Sequence, residues 1–218
     1  MKETILFSNV IGDITALEED CSFNPNLVCV LRSANCENKN LVFINAPGFN
    51  NDHLYFDKIK KCFNKIGIYF KKSIEISDMS NIEDLQNFPK DRVYFLMGGN
   101  PLTQLELIKN YNLIDELKNY NGLVIGFCAG AINLSKHSII TTDEDFNTPF
   151  SYQGIGRVDI SVEPHFYMDD SEFTENRLKE IDNFCKCLKT EIYAIPDKSV
   201  IDVLGDSISF YGEIYKYY

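Results

Sequence analysis

Short apolar runs alternate with amphipathic stretches along most of the chain, and these two patterns predict strands and helices in turn. Three largely apolar runs have the length and the polar boundaries of buried strands: residues 41–46, 92–97 and 123–127. Apolar residues at helical spacing predict helices over residues 53–66, 80–85, 102–111, 113–120 and 173–188. Weaker strand patterns lie at residues 4–9, 28–31, 68–70, 74–76, 139–142, 158–163, 192–197, 199–204 and 208–215. The helix at residues 80–85 would begin at Ser80 or Asn81, which are good N-cap residues.

This alternation predicts an α/β fold. We expect a mostly parallel sheet with helices on both faces, a three-layer sandwich. A chain of 218 residues is long enough for one sizeable core, so we expect a single domain over residues 1–218. Active sites of such sheets lie at the carboxyl ends of the strands. The residues that follow positions 97 and 127 are therefore candidates for a site.

The strand at residues 123–127 continues into Gly126-Phe127-Cys128-Ala129-Gly130, the pattern of a nucleophile elbow. In an elbow, a buried strand turns sharply into a helix and holds a nucleophile at the turn. The two glycines suit a strained turn and close packing of helix on strand. The helix N-terminus would favour the thiolate of Cys128. The alternative is a buried cysteine in a Gly-rich turn that carries no chemistry.

A thiol nucleophile needs a base, and that base is usually a histidine. The chain has three. His165 ends a predicted strand behind a proline, which gives it the rigid placement that a catalytic base needs. His53 lies at the start of a predicted helix and His137 lies just past the elbow helix, so we interpret both as surface residues.

An acid that orients the base and donors for an oxyanion complete such a site. The acidic loop 143–145 could supply the carboxylate that faces the far nitrogen of His165, although a charge run of this kind also occurs as a solvated surface. The backbone N–H groups of Ala129 and of Gly99, in a Gly-Gly turn at a neighbouring strand end, are the candidate oxyanion donors.

Together these motifs resemble the dipeptidase E (alpha-aspartyl dipeptidase) and cyanophycinase-related serine peptidases, which share the class I glutamine amidotransferase-like, flavodoxin-like fold. Residues 98–105 are similar to the family's Gly-Gly-Asn-Thr-x-x-Leu segment, and residues 126–131 to its Gly-x-Ser-Ala-Gly-Ala elbow. Residues 141–143 and 163–166 are similar to its acid loop and its Pro-His strand end.

The resemblance implies a role for each matching residue. Cys128 would be the nucleophile, His165 the base and Asp143 the acid, with Gly99 and Ala129 as oxyanion donors. Substrate binding would fall to two further residues, Asn100 and Arg177.

Two positions depart from the family pattern. The nucleophile is a cysteine where the family has serine, and a cysteine paired with a histidine is a competent nucleophile. Aspartyl dipeptidases use an Arg-x-x-Arg segment after the histidine to hold an acidic side chain. Here Arg177 matches the second arginine, but Thr174 stands at the place of the first. Specificity for an N-terminal aspartate is therefore left open.

The net charge and the cysteine content limit which binding partners and which cellular compartment we expect. A net charge of −11 argues against nucleic acid or an anionic membrane as the main partner. Seven cysteines at irregular spacing, and no secretory signal, favour a reducing cytoplasm. The close pair Cys185 and Cys187 lacks companion ligands, so we expect no metal site and no cofactor.

The sequence thus predicts a cytoplasmic hydrolase of small peptides or related amides that works through a Cys-His-Asp mechanism, and it leaves a homodimer open. Two alternatives stay open. One is a catalytically impaired family member that acts as a binding or partner protein. The other is a glutamine amidotransferase-like amidase, which the elbow cysteine favours. The base of that class lies near the C-terminus, however, and no histidine follows His165.

Overall fold

The computed structural model describes residues 1–12, 20–34, 36–47, 52–78, 82–169 and 171–218, with the backbone alone at residues 52, 53 and 82. The helices are α1 (Pro25–Ser33), α2 (Asp52–Lys65), α3 (Ile82–Gln86), α4 (Pro101–Asn110), α5 (Ile114–Asn119), α6 (Ala129–Leu134) and α7 (Glu172–Leu188). The strands are β1 (Glu3–Phe7), β2 (Asn40–Ile44), β3 (Ser73–Ile76), β4 (Arg92–Leu96), β5 (Leu123–Phe127), β6 (His137–Ile140), β7 (Phe150–Gln153), β8 (Ser161–Pro164), β9 (Ile192–Ile195), β10 (Val200–Leu204), β11 (Ser207–Tyr211) and β12 (Tyr215–Tyr217).

A seven-stranded sheet in the order β11-β10-β1-β5-β4-β2-β3 forms the centre of the molecule. The five strands from β1 to β3 in this order pair in parallel, and β10 and β11 add an antiparallel edge beside β1. Strand β5 lies between β1 and β4 with Phe127 opposite Phe7 and Gly126 opposite Leu96. The carboxyl ends of these three central strands therefore meet at one edge of the sheet.

Hydrophobic residues cover both faces of this sheet and divide the core in two. On one face, helices α1 and α2 pack against side chains that include Phe43 and Phe95. On the other face, helices α4, α5 and α6 pack against side chains that include Tyr94 and Leu96. The predicted three-layer α/β sandwich is confirmed. None of the described helices is long and apolar enough to cross a membrane.

A small second sheet, in the order β12-β9-β8, lies beside the main body. Its residues Val162 and Ile195 join the core that contains α6, and Ala194 packs on the side of α7. Strands β8 and β9 are parallel neighbours, with Pro164 opposite Ile195. The two segments that leave these strands, at residues 165 and 196, therefore start side by side.

Three weak strand predictions are wrong, each for a local reason. Residues 28–31 belong to helix α1, because the Asn24 side chain accepts the N–H of Leu27 and a proline occupies the first helical position. Residues 68–70 form no strand, because the N–H of Ile68 bonds back to Phe63 O and completes the end of α2. The predicted strand at 158–163 shortens to β8, because the backbone of Val158 bonds to Leu134 and Lys136 instead. The N-cap predicted at residues 80 and 81 lies outside the described residues.

Candidate active site

Cys128 occupies the turn between β5 and α6 with φ 49° and ψ −108°. Residues other than glycine rarely adopt this backbone conformation. Its N–H donates to Phe7 O at 2.9 Å, which ties the turn to the end of β1. Glycine is required on both sides of it. A Cβ at Gly130 would lie 2.3 Å from Leu96 O, and one at Gly126 would lie 2.8 Å from the backbone of Ala131. The helix can therefore pack directly on the sheet, and the Cys128 side chain is left partly exposed.

His165 follows β8 and has a similar strained backbone, with φ 52°. Its ring Nδ1 lies 2.7 Å from Asp197 Oδ1, and its backbone N–H donates to Ser8 Oγ at 3.0 Å. Asp197 follows β9, the parallel neighbour of β8. The ring and the carboxylate therefore meet because their strands lie side by side.

The Asp197 carboxylate is held by more than the histidine. Asn9 Nδ2 donates to its Oδ2 at 3.0 Å, and the Tyr167 hydroxyl donates to the same oxygen. Burial raises the pKa of the Asp197 carboxyl, but the hydrogen bonds from His165, Tyr167 and Asn9 outweigh this effect and lower the pKa to about 2. Asp197 is thus an anion at any ordinary pH.

The electrostatics of His165 favour its cationic form. Burial lowers the pKa of the imidazole, but hydrogen bonds to Asp197 and to Cys128, with the charges of both groups, raise the pKa to about 10. The ring therefore lies between a carboxylate on one nitrogen and the thiol of the elbow on the other side. A nucleophile, a base and an orienting acid need this order of groups, so the arrangement is compatible with such a triad.

The structure corrects the predicted acid. Asp143 lines the same cavity as His165, but its Oδ1 accepts the N–H groups of Asp145 and Phe146 in its own loop. Among the described residues, the carboxylate that contacts the His165 ring is Asp197. The acidic loop therefore forms a wall of the cavity and does not orient the base.

A cavity of about 460 Å³ opens at this edge of the sheet. Its lining includes Cys128, His165 and Gly99, together with the acidic loop 143–145 and Phe173 of α7. Its size is in the range of small-molecule sites. The nucleophile and the base therefore face a space that could hold a small peptide.

Comparison with known proteins places the chain in a family. The model of the family described as Peptidase family S51 matches residues 18–211. The chain belongs to peptidase family S51. The resemblance noted in the sequence is thereby confirmed, and membership in this family supports a peptidase, or more broadly a hydrolase, function.

Two individual proteins illustrate the similarity. A curated Peptidase E from Nostoc sp. is 26% identical over 166 residues, an alignment that covers 72% of this chain and 66% of that protein, just under two thirds of its length. A crystal structure from Listeria monocytogenes EGD-e, described provisionally as a peptidase E protein, aligns with a TM-score of 0.63 and 20% identity. That alignment covers 97% of this chain and 98% of that one. The second similarity concerns the fold alone.

Of the two predicted oxyanion donors in this S51 fold, one lines the cavity and the other follows Cys128 in the chain. Gly99 lines the cavity beside Cys128, and its φ of 130° is a conformation that glycine tolerates. Ala129 is the first residue of α6, directly after the nucleophile. Their role as donors to an oxyanion stays a prediction.

The two predicted substrate-binding residues are occupied by other contacts. The Asn100 side chain caps α4, since its Oδ1 accepts the N–H groups of Leu102 and Thr103. Arg177 forms a buried ion pair with Glu163 and donates to the carbonyl oxygen of His165. The side-chain oxygen of Asn100 and the guanidinium of Arg177 are therefore both engaged by other groups of the protein.

The remaining histidines stay apart from the site as far as the chain is described. His137 begins β6, where it pairs with Gln153 of β7, and it does not line the cavity. The side chain of His53 lies outside the described residues. No group of three or more His, Cys, Asp or Glu side chains within the described ranges could hold a metal ion.

Sequence reasoning missed Asp197, although a signal was present. Pro164-His165 and Pro196-Asp197 each place a proline at or just after the end of a short strand, followed by a polar residue. Had the two strands been recognised as parallel neighbours, the base and the acid would have been expected side by side. Sequence order alone does not say which strands are neighbours.

Proposed function

We propose that the protein is a hydrolase of small peptides or related amides with the catalytic triad Cys128, His165 and Asp197. The observation that carries this proposal is the 2.7 Å contact between His165 and Asp197 at a cavity that Cys128 also lines. Membership in a peptidase family gives the class of reaction. With a cysteine at the elbow, the attacking atom would be the sulfur of Cys128.

In the reactive form of the site, the proton of the Cys128 thiol has passed to His165. His165 has a pKa raised to about 10 by its contacts with Asp197 and Cys128, against the lowering effect of burial, and so keeps its proton at neutral pH. A thiolate is the reactive form of cysteine.

In the first half of the reaction, the Cys128 sulfur attacks the peptide carbonyl carbon and the carbonyl oxygen becomes an oxyanion. The backbone N–H groups of Gly99 and Ala129 would stabilise it. As the C–N bond breaks, His165 gives its proton to the leaving amine. A thioester between Cys128 and the acyl part of the substrate remains.

In the second half, water hydrolyses the thioester. Neutral His165 accepts a proton from the water, and the hydroxide oxygen bonds to the acyl carbon. The C–S bond breaks, the carboxylic acid product leaves, and the proton on His165 restores the initial pair. Asp197 stabilises the imidazolium throughout and fixes the ring orientation.

The charges around the cavity bear on the substrate. His165 and Arg177 are the only basic side chains among the described residues that line it, and Arg177 is paired with Glu163. The acidic loop 143–145 forms part of the same wall. We therefore expect a free N-terminal ammonium group to be favoured, and an N-terminal aspartate not to be preferred over a neutral residue.

The test is a panel of dipeptides assayed with the natural chain, Cys128→Ser, Cys128→Ala and the control Cys29→Ala, which changes an exposed cysteine. The panel holds Asp-Leu, Ala-Leu and N-acetylated Ala-Leu, with glutamine added for the amidase alternative. We expect cleavage of free dipeptides by the natural chain, loss to background in Cys128→Ala and no change in Cys29→Ala.

Other outcomes decide against this proposal. Turnover that survives in Cys128→Ala would exclude Cys128 as the nucleophile. Release of ammonia from glutamine without dipeptide cleavage would favour the amidase. Failure of both the natural chain and Cys128→Ser to cleave any substrate would favour a binding or partner protein, whereas turnover by Cys128→Ser alone would mean that the cysteine form is impaired.

A further inference from the structure

A buried ion pair lies directly behind the catalytic histidine. The side chains of Arg177 on α7 and Glu163 on β8 are only 12% and 4% exposed. Arg177 Nε donates to Glu163 Oε1 at 3.1 Å, and Nη2 contacts the same oxygen. The Thr141 hydroxyl donates to this oxygen as well, at 2.6 Å. The positive charge of the Arg177 guanidinium is therefore balanced by the Glu163 carboxylate inside the protein.

Arg177 also binds the backbone on both sides of His165. Nη1 donates to the carbonyl oxygen of His165 at 3.0 Å, and Nη2 donates to that of Pro164 at 3.1 Å. A planar guanidinium can bridge two carbonyl oxygens and a carboxylate at once, which a lysine ammonium at the end of a flexible chain cannot do in the same geometry.

The N-terminal side of the same residue is held by Ser8. The N–H of His165 donates to Ser8 Oγ at 3.0 Å, and this hydroxyl donates to Ile195 O at 2.5 Å. Ser8 is fully buried and follows β1, so it comes from a part of the chain 157 residues away from His165. Both peptide groups of His165 are thus fixed by side chains from other elements.

This double attachment matters because the backbone of His165 is strained. A φ of 52° is unfavourable in a residue other than glycine and persists only where the surroundings enforce it. With a relaxed backbone, the ring would turn away from Cys128 or from Asp197. The strain therefore needs a structural cause, and the two attachments supply one.

We propose that Arg177, with Glu163 as its counter-ion, and Ser8 are positioning residues that hold His165 in its strained conformation so that its ring meets Cys128. The proposal rests on the proposed function, because it presumes that His165 and Cys128 act as a pair. It assigns to Arg177 a role in the geometry of the base in place of substrate binding.

The test measures the Cys128 thiolate directly and needs no substrate. Iodoacetamide labels each cysteine at a rate that follows its thiolate, and mass spectrometry of peptides reports the rates between about pH 5 and 8. Exposed Cys29 and Cys187 serve as internal references. In the natural chain, we expect Cys128 to label faster than both at the acidic end of this range.

The variants are Arg177→Met, Arg177→Lys and Ser8→Ala, with Lys186→Met as a matched control that removes an exposed basic residue from the same helix. We expect the three positioning variants to slow Cys128 labelling near pH 6 by about tenfold to a hundredfold, the effect of a small misplacement of a catalytic group. Lys186→Met should label like the natural chain. Circular dichroism identifies any variant that fails to fold, and Ser8→Ala, which removes a single oxygen atom, tests the same geometry from the other side.

The outcomes separate this inference from the proposed function. Cys128 labelling that is fast in the natural chain and unchanged in folded Arg177→Lys and Ser8→Ala would overturn the positioning roles alone. If peptide assays then showed that Arg177→Lys raises KM only for acidic substrates, Arg177 would be a substrate-binding residue. Cys128 that labels no faster than Cys29 in the natural chain would overturn the Cys-His pair, and the proposed function with it.

Discussion

Cys128 and His165 face each other with nearly equal backbone strain, φ 49° and 52°, but they are held by different means. The strain at Cys128 comes from its immediate neighbours, since Gly126 and Gly130 permit a helix to start directly on the sheet. The backbone of His165 is instead hydrogen-bonded to the side chains of Ser8 and Arg177, which belong to other elements.

This difference explains which half of the site can be recognised from a sequence. A turn that depends on adjacent small residues leaves a continuous motif, and the motif can be matched to a chemistry. A turn that depends on distant side chains leaves isolated residues whose relation appears only in three dimensions. The turn at Cys128 and the turn at His165 should also respond differently to mutation.

The largest effect on stability should come from a substitution in the elbow around Cys128. Gly130→Val would place side-chain atoms against the backbone of Leu96, where a Cβ has only 2.3 Å of space. Since backbone cannot move aside as a flexible side chain does, we expect a loss of unfolding free energy of about 3 kcal/mol or more, or failure to fold. Thermal and urea unfolding measure it.

The matched control for this substitution is Gly205→Asn. Gly205 has φ 60°, which asparagine tolerates, and no atom lies within 4 Å of an added Cβ. It should unfold nearly as the natural chain does. Equal stability of the two variants would mean that the elbow does not depend on close packing of α6.

The next effect concerns the turn at His165 and tests whether Asp197 or Asp143 is the acid that orients it. Asp197→Asn removes the charge that orients and stabilises the His165 imidazolium, and we expect kcat to fall by about a thousandfold to ten-thousandfold. Asp143→Asn leaves that contact intact and should change kcat by less than about tenfold. Steady-state kinetics on any cleaved dipeptide decide between them, and the reverse order would restore Asp143 as the acid.

The smallest effect is a dependence of stability on pH. Contacts with Asp197 and Cys128 overcome the lowering effect of burial and raise the pKa of His165 from an ordinary value of about 6.5 to about 10 in the folded protein. A raised pKa stabilises the folded state fully below about pH 6.5, and this stabilisation is lost as the pH rises towards 10. The ring is 40% exposed, so solvent weakens the effect.

Urea unfolding of the natural chain and of His165→Gln tests this dependence. The difference in unfolding free energy between the two proteins should be larger near pH 6 than near pH 9. A difference that grows with pH would mean that His165 is not held as a cation by its neighbours.

Much of the fold could be predicted from the sequence, because the central strands and the longer helices carry strong hydrophobic patterns. The strands at residues 41–46, 92–97 and 123–127 and the helix at residues 173–188 appear with small shifts at their ends. The failures lie where short-range hydrogen bonds override an apolar run. At residues 28–31, the N-cap formed by Asn24 favours a helix over the predicted strand.

The candidate site divides in the same way. Cys128 and His165 could be identified because a glycine pair and a proline mark their turns. Asp197 could not, because its relation to His165 depends on the parallel pairing of β8 with β9. The ion pair of Arg177 with Glu163 was not predicted, because burial of a charged pair leaves no trace in a sequence pattern.

The end of β1 has a consequence for the way the protein is made. Phe7 O accepts the N–H of Cys128, and the next residue, Ser8, accepts the N–H of His165. Two consecutive residues therefore set the spacing between nucleophile and base, and β1 itself pairs with β10 at residues 200–204. Contacts of such long sequence separation form late in folding. In a nascent chain, Cys128 should consequently not be paired with His165 until residues near 200 have been synthesised and have joined β1.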